Sequence, residues 1–112
     1  MSAHWPTELR LNKPRNRLDI VFEDGARFSL PAEYLRVESP SAEVQGHGGQ
    51  QKTIIFGKET VLISNIQPVG NYAVRLVFDD GHDSGLFSWD YFYDLGKNHA
   101  AKWAAYLAAR NK

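Results

Sequence analysis

One short stretch of this sequence occurs twice in nearly the same form. It reads Val21-Phe22-Glu23-Asp24-Gly25 the first time and Val77-Phe78-Asp79-Asp80-Gly81 the second, 56 residues later. Apolar and polar residues alternate before the first Asp-Gly pair, and such a pair is a strong hairpin signal because glycine tolerates the positive φ that the turn needs. We therefore expect two β-hairpins, one at each Asp-Gly turn.

A second match follows each turn. Glu33-Tyr34-Leu35 resembles Asp90-Tyr91-Phe92, at a separation of 57 residues. Pro31 fits the first turn of a short helix that runs to about Val37. Strand, Asp-Gly turn, strand and short helix thus occur twice, which predicts a structural pseudo-repeat, with chance similarity between two hairpins as the alternative.

The remaining elements follow from periodicity and from residues that end or cap helices. Ser88 can cap a helix to about Leu95 that Gly96 closes, and Asn98 can cap a last helix, His99–Arg110. Glu38–Lys52 is predicted to be a loop, and Gly46–Gly49 lacks the residues of a phosphate-binding loop. Further strands are predicted around Leu9–Leu11, Leu18–Phe22, Ala26–Leu30, Thr53–Phe56, Val61–Ile66, Tyr72–Phe78 and Gly85–Phe87. The predicted fold class is α+β, mostly antiparallel sheet with short helices packed on one side.

Composition narrows the range of functions. The 112 residues suit one domain, with a core at about residues 9–95 and a C-terminal helix at 98–110. Thirteen basic and thirteen acidic residues cancel, which disfavours generic attraction to nucleic acid or to an anionic membrane. There is no cysteine, hence no disulfide, thiolate nucleophile or cysteine-ligated metal. Because no signal peptide or long apolar run is present, a cytoplasmic protein without a membrane segment is expected.

Three longer stretches resemble a known family. They are Glu33-Tyr34-Leu35-Arg36-Val37-Glu38-Ser39-Pro40-Ser41-Ala42-Glu43-Val44, Gly70-x-Tyr72-Ala73, and Asp79-Asp80-Gly81-His82-x-Ser84-Gly85-Leu86-Phe87-Ser88-Trp89. This pattern resembles the DUF971 family, the domain found at the N-terminus of gamma-butyrobetaine hydroxylase, over roughly Leu9 to Leu95. The resemblance implies a small domain that accompanies iron-dependent oxygenases or iron–sulfur assembly proteins, or that stands alone in bacteria, and this chain is similar to the stand-alone kind.

The resemblance also implies a metal site that this chain has lost. In the metal-binding branch of the family, three cysteines in the loop after the first helix and a histidine in the Asp-Gly-His turn hold zinc. The matching positions here are Ser39, Ser41, Val44 and His82. Neutral hydroxyls do not replace thiolates and valine has no donor, so we expect no metal and no cofactor. His82 is instead expected to hydrogen-bond to the loop Glu38–Val44.

An alternative keeps a metal through other ligands. Glu38, Glu43 or His47 from the loop could join His82 and Asp80, since histidine and carboxylate sets bind iron, zinc or manganese. That reading makes the chain a metal-binding protein or a metal-dependent enzyme or regulator. No close spacing in the sequence defines the geometry of such a site.

Catalysis by the chain alone is not indicated. An iron oxygenase needs a His-x-Asp motif on a large core, and the nearest string, His82-Asp83, lacks the intervening residue. Basic residues cluster early (Arg10, Lys13, Arg15, Arg17, Arg27, Arg36), acidic ones late (Asp79, Asp80, Asp83, Asp90, Asp94), and aromatic side chains crowd residues 87–93. One interpretation is that these charged residues form two solvent-exposed faces. The other is a docking surface that includes His47, Asp80, Trp89 and Tyr93. A non-enzymatic binding or adaptor domain with a protein partner is the expected function, and its oligomeric state is not indicated.

Overall fold

The first half of the chain forms a three-stranded antiparallel sheet followed by a helix. The computed structural model describes residues 4–40, 57–83 and 85–110. Strands β1 (Pro6–Leu11), β2 (Arg17–Phe22) and β3 (Arg27–Pro31) pair in the order β1-β2-β3. Helix α1 (Ala32–Val37) follows directly, with Pro31 at its N-cap position in extended conformation.

The second half repeats this order and adds a helix. Strands β4 (Ile63–Val69), β5 (Ala73–Phe78) and β6 (Leu86–Ser88) form the sheet β4-β5-β6, again antiparallel. Helices α2 (Trp89–Lys97) and α3 (His99–Arg110) follow. The predicted α+β class and the pseudo-repeat are confirmed, and the repeating unit contains three strands rather than two.

The two halves also share irregularities of strand register that antiparallel pairing does not itself require. The register between β1 and β2 shifts between Pro6 and Glu8, and that between β4 and β5 shifts at the matching place, between Ile63 and Asn65. Gly25 and Gly81 adopt φ values of +90° and +92°. The two sheets are thus built alike in both their bulges and their turns.

Each Asp-Gly turn is closed by the same hydrogen bonds. The N–H of Phe22 donates to the carbonyl of Ala26 (2.9 Å), and the N–H of Phe78 donates to that of His82 (2.9 Å). Asp24 Oδ1 accepts from the Ala26 N–H at 2.9 Å, and Asp80 Oδ1 from the His82 N–H at 3.1 Å. An aspartate that accepts from the N–H two residues on holds its own turn, so these two carboxylates are fixed in matching positions.

The two sheets share one core. Alternate residues of the central strands point inward, namely Leu18, Ile20 and Phe22 on β2 and Val74, Leu76 and Phe78 on β5. Tyr34 and Leu35 of α1 and Phe92 and Leu95 of α2 complete the cluster and are fully buried. Burial of apolar area at roughly 25 cal/mol per Å² makes this shared core the main source of stability.

Several predicted boundaries differ from the structure. Gly96 lies inside α2 rather than closing it, and its lack of a side chain leaves room for the Phe28 ring, which an added Cβ would meet at 2.3 Å. Strand β4 begins at Ile63 and continues to Val69, whereas the sequence indicated Val61–Ile66. Ser88 caps α2 as predicted, accepting from the Tyr91 N–H at 3.1 Å. The predicted strand Thr53–Phe56 and all but the first three residues of the predicted loop lie outside the described residues.

Helix α3 packs on α1 through its aromatic face. The rings of His99 and Trp103 contact Tyr34, and the Tyr106 hydroxyl donates to Glu33 at 2.8 Å. At the start of α3, the Asn98 carbonyl accepts from the Lys102 N–H, as the carbonyl of an N-cap residue does. The side-chain amide of Asn98 donates to the Asp94 carboxylate in the preceding helix. Within residues 4–40, 57–83 and 85–110, no helix has both the length and the apolar character to span a membrane.

Candidate functional site

The two halves interlock through reciprocal tyrosine contacts. The Tyr34 hydroxyl donates to the Leu95 carbonyl at the end of the other half's helix, at 2.7 Å. The Tyr91 hydroxyl donates in the same way to the Glu38 carbonyl. Tyr34 and Tyr91, like Glu38 and Leu95, are 57 residues apart, so each contact maps onto the other as in a two-fold arrangement. Burial raises the pKa of Tyr34, which keeps this donor protonated.

Reciprocal hydrogen bonds also link each Asp-Gly turn to the helix of the other half. Asp80 Oδ2 accepts from Arg36 Nε of α1 at 2.8 Å. Asp24 Oδ2 accepts from the Tyr93 hydroxyl of α2 at 2.6 Å. Arg36 and Tyr93 occupy matching positions in the repeat, so the two turns are held by equivalent but chemically different partners.

The turn at Asp80 is the centre of a polar cluster, which we call the second-turn cluster: Arg36, Ser39, Lys58, Asp80 and His82. Lys58 Nζ lies 2.7 Å from Asp80 Oδ2, and only 5% of the Arg36 side chain is exposed. Burial alone would raise the pKa of Asp80, but hydrogen bonds from Lys58, the His82 N–H and Arg36 outweigh it and lower the pKa to about 2. The carboxylate stays ionised at neutral pH and is held by two cations.

His82 and Ser39 form the second link in this cluster. Nε2 of His82 lies 2.9 Å from Oγ of Ser39, and both residues are buried. Gly85 makes room for this pair, since a Cβ at residue 85 would lie 2.1 Å from the Ser39 oxygen. The contact expected between His82 and the loop after α1 is therefore present at Ser39. Ser41 and Val44, the other two positions matched to zinc ligands, lie outside the described residues.

Where the structure describes them, the alternative metal ligands do not form a metal-binding group of three. Asp80 is engaged by Arg36 and Lys58, and the His82 ring faces Ser39. Among residues 4–40, 57–83 and 85–110, no group of three histidine, aspartate or glutamate side chains could hold a metal ion. Glu43 and His47 lie outside these ranges.

Three of the four residues predicted for a docking surface are engaged within the fold. Asp80 belongs to the second-turn cluster, and Trp89 Nε1 donates to the Asn71 carbonyl at 2.9 Å. Tyr93 binds Asp24 and stacks on the His4 ring, with centroids 3.6 Å apart. His47 is outside the described residues.

The large apolar side chains that are exposed are different ones. Trp5, Tyr72 and Leu86 are 37%, 49% and 40% exposed. Periodicity did not single them out, because they lie before a strand, in a turn and on a three-residue edge strand. Burial of a sequence neighbour is one signal that could have set them apart, since Phe87 next to Leu86 is fully buried.

Several members of the runs of like charge have partners within the fold. Arg10 contacts Glu8 at 2.9 Å and Arg17 contacts Asp19 at 3.6 Å. In the acidic run, Asp79 Oδ1 accepts from the Leu62 N–H at 2.9 Å. The paired charges contribute less to a long-range field than they would on a segregated surface.

The interlocked halves and the second-turn cluster define a small α+β domain made of two copies of one unit. The chain belongs to the gamma-butyrobetaine hydroxylase-like N-terminal domain family, whose model matches residues 9–93.

Solved structures agree with this assignment. Two proteins with NMR solution structures are 48% and 45% identical, with TM-scores of 0.82 and 0.81. Each alignment covers 96% of this chain, and 80% and 85% of those chains. A crystal structure of a DUF971-family protein of unknown function from Acidithiobacillus ferrooxidans is 37% identical, with a TM-score of 0.68 over 81% of this chain and 91% of that one. No curated protein matches the sequence.

Proposed function

We propose that this protein is a non-catalytic binding domain that docks onto another protein. The observation that carries the proposal is the second-turn cluster. Its potentially reactive groups, the carboxylate of Asp80, the imidazole of His82 and the hydroxyl of Ser39, are buried or half-buried and bonded to one another or to Arg36 and Lys58. Groups held in this way join the two halves of the fold rather than face a substrate.

The cluster stands at the place where the family resemblance puts a zinc site. A zinc ion bound by loop cysteines and a turn histidine would tie the loop after α1 to the second Asp-Gly turn. Here the hydrogen bond between His82 and Ser39 joins those same segments, and the ion pair of Arg36 with Asp80 joins the end of α1 to the same turn. We regard Ser39, Ser41, Val44 and His82 as a vestigial metal site in which polar contacts have replaced the ion.

Exposed aromatic and aliphatic side chains support a docking role. Tryptophan and tyrosine are enriched among the residues that dominate interface energies, and Trp5 and Tyr72 are both exposed. The family resemblance directs the search for a partner toward iron–sulfur assembly proteins and iron-dependent oxygenases.

The proposal is tested by site-specific photocrosslinking in the native host. A photoreactive amino acid replaces Trp5, Tyr72 or Leu86 in turn, and exposed Ala105 on α3 serves as the control position. We expect one of the three positions to yield a discrete crosslinked protein that Ala105 does not yield. That protein, once purified, should bind the native chain with a measurable Kd.

Two results would contradict the proposal. The first is a set of crosslinks that is the same at all four positions. The second is metal bound in stoichiometric amount by the purified chain and lost on His82→Ala, which would favour the metal-dependent alternative.

A further inference from the structure

The two Asp-Gly turns have equivalent backbones but different electrostatic surroundings. Asp80 Oδ2 contacts two cations, Arg36 and Lys58. The matching atom of Asp24 contacts the neutral hydroxyl of Tyr93 in place of the arginine. Within the described residues, neither Asp24 nor the adjacent Glu23 forms an ion pair. The first turn therefore presents two carboxylates whose charge the fold does not neutralise by direct contact.

A groove opens beside these carboxylates. It is lined by His4, Trp5, Phe22, Glu23 and Asp24, and we call it the first-turn groove. The Glu23 N–H donates to the Trp5 carbonyl at 2.9 Å, which holds the Trp5 backbone next to the turn. The groove thus combines an aromatic wall with an acidic rim.

The charged groups around the groove are mostly acidic. Asp90 lies 3.1 Å from His4 Nδ1, and Lys97 Nζ lies 5.8 Å from the centre of the Tyr93 ring. Hydrogen bonds from Tyr93 and the Ala26 N–H lower the pKa of Asp24, which remains ionised. Among the described residues around the groove, the carboxylates of Glu23, Asp24 and Asp90 therefore outnumber one ammonium group and one imidazole.

We propose that the first-turn groove receives a lysine or arginine side chain of a protein partner. The aliphatic stem would lie against the Trp5 indole, and the cation would reach the carboxylates of Glu23 and Asp24, on the side where the second turn already holds Lys58. Long cationic side chains bury their stems on apolar surface while the charge pairs with carboxylates or stacks on rings. This inference rests on the proposed function and assigns a surface and a partner chemistry to it.

The test is an NMR titration of the 15N-labelled chain with blocked tripeptides. Acetyl-Gly-Lys-Gly-amide and acetyl-Gly-Arg-Gly-amide are the probes, and the norleucine and glutamate analogues are the controls. We expect shifts at the Trp5 indole N–H and at the amides of residues 23–26, with none at residues 80–82, where cations already occupy the carboxylate. Raising the salt to about 0.5 M should weaken binding because exposed charges are screened.

Matched variants distinguish binding in the first-turn groove from general attraction to acidic residues. Glu23→Gln and Asp24→Asn should each raise the Kd about three-fold, the scale of one exposed ion pair, and Asp24→Asn keeps an oxygen that can accept from Ala26. Asp83→Asn removes one exposed charge near the second turn and should leave the Kd unchanged.

The groove assignment is overturned by any of three results: equal shifts with the norleucine peptide, shifts confined to residues outside the first-turn groove, or equal effects of Asp83→Asn and Glu23→Gln. If the titration shows no binding but Tyr72 or Leu86 gives a specific crosslink, the groove assignment is wrong and the proposed binding function is retained. Absence of any specific crosslink would instead contradict the proposed function.

Discussion

The Oγ of Ser39 and the Nε2 of His82 lie 2.9 Å apart in the interior of the fold. Ser39 follows the first helix and His82 follows the second Asp-Gly turn, so this bond joins the two halves of the repeat. The equivalent positions in the other half are Gly96 and Ala26, which have no polar side chain. The bond is therefore a point where the two halves differ in chemistry.

Removal of the His82 ring should loosen the segment after α1. His82→Ala leaves the buried Ser39 hydroxyl without this partner, at a cost of about 1–3 kcal/mol. We expect faster amide exchange at Glu38 and Ser39, with the protected amides of β2 and β5 unchanged. His82→Gln, whose amide can still reach a hydroxyl, should restore most of the protection. Unchanged exchange in His82→Ala would show that the bond does not hold this segment.

The Asp80 ion pair should make stability depend on pH in the acid range. Its pKa is about 2 when folded, below the ordinary value of 3.8, so the carboxylate stabilises the fold above pH 4 and loses that contribution as pH falls toward 2. The loss should amount to about 2 kcal/mol. Denaturant unfolding at several pH values should show a shallower acid limb in Asp80→Asn. The exposed Asp83→Asn is the control, and the prediction fails if both variants retain the native profile.

Both turn glycines should resist substitution by a β-branched residue. Gly25 and Gly81 have φ near +90°, where valine is strained, so Gly25→Val and Gly81→Val should each destabilise by more than about 1 kcal/mol. Thermal unfolding should show a fall in Tm of several degrees. Asparagine tolerates positive φ better, so Gly→Asn at the same sites should cost less. Native melting of both valine variants would contradict the turn geometry.

Docking of α3 should weaken in mild acid. The His99 ring stacks on Tyr34 at 4.4 Å, and burial lowers its pKa. A histidine with a depressed folded pKa contributes fully above its unfolded pKa near 6.5 and loses that contribution as pH falls through the folded value. The tryptophan fluorescence, to which Trp103 contributes, and the Tm should therefore change between pH 7.5 and 5. His99→Phe should remove the dependence, and its persistence in that variant would assign it to another group.

Chelation should leave the protein folded. If polar contacts have replaced zinc in the second-turn cluster, Tm in excess EDTA should match that in buffer within experimental error. Ser39→Ala provides the comparison, since it removes the hydrogen bond and should lower Tm without any metal. A large loss of stability on EDTA treatment would contradict the vestigial-site proposal.

Much of the local structure could be predicted from short stretches of sequence. The turn at Gly25 and its copy at Gly81 follow from the residues themselves, as does the cap at Ser88. Boundaries were less predictable where tertiary contacts override local preference. Gly96 is an example, because a glycine that usually ends a helix here admits the Phe28 ring inside one.

The candidate site was only partly predictable. Proximity of His82 to the loop after α1 followed from the family resemblance, not from any pattern in the residues between them. The roles of Arg36 and Lys58 could not be predicted, because nothing in the local sequence around either residue shows that it contacts a carboxylate distant in the chain.

The sequence by itself determined the two hairpin turns, the repeat and the α+β class, since those depend on contacts between near neighbours and on apolar alternation. Only the tertiary structure decided that Asp80 is neutralised by Arg36, 44 residues away, while Asp24 meets Tyr93 at a separation of 69. The two aspartates have almost the same local sequence, so their charge environments depend on what the opposite half places against them. That placement is set by packing of the shared core, which no local stretch encodes.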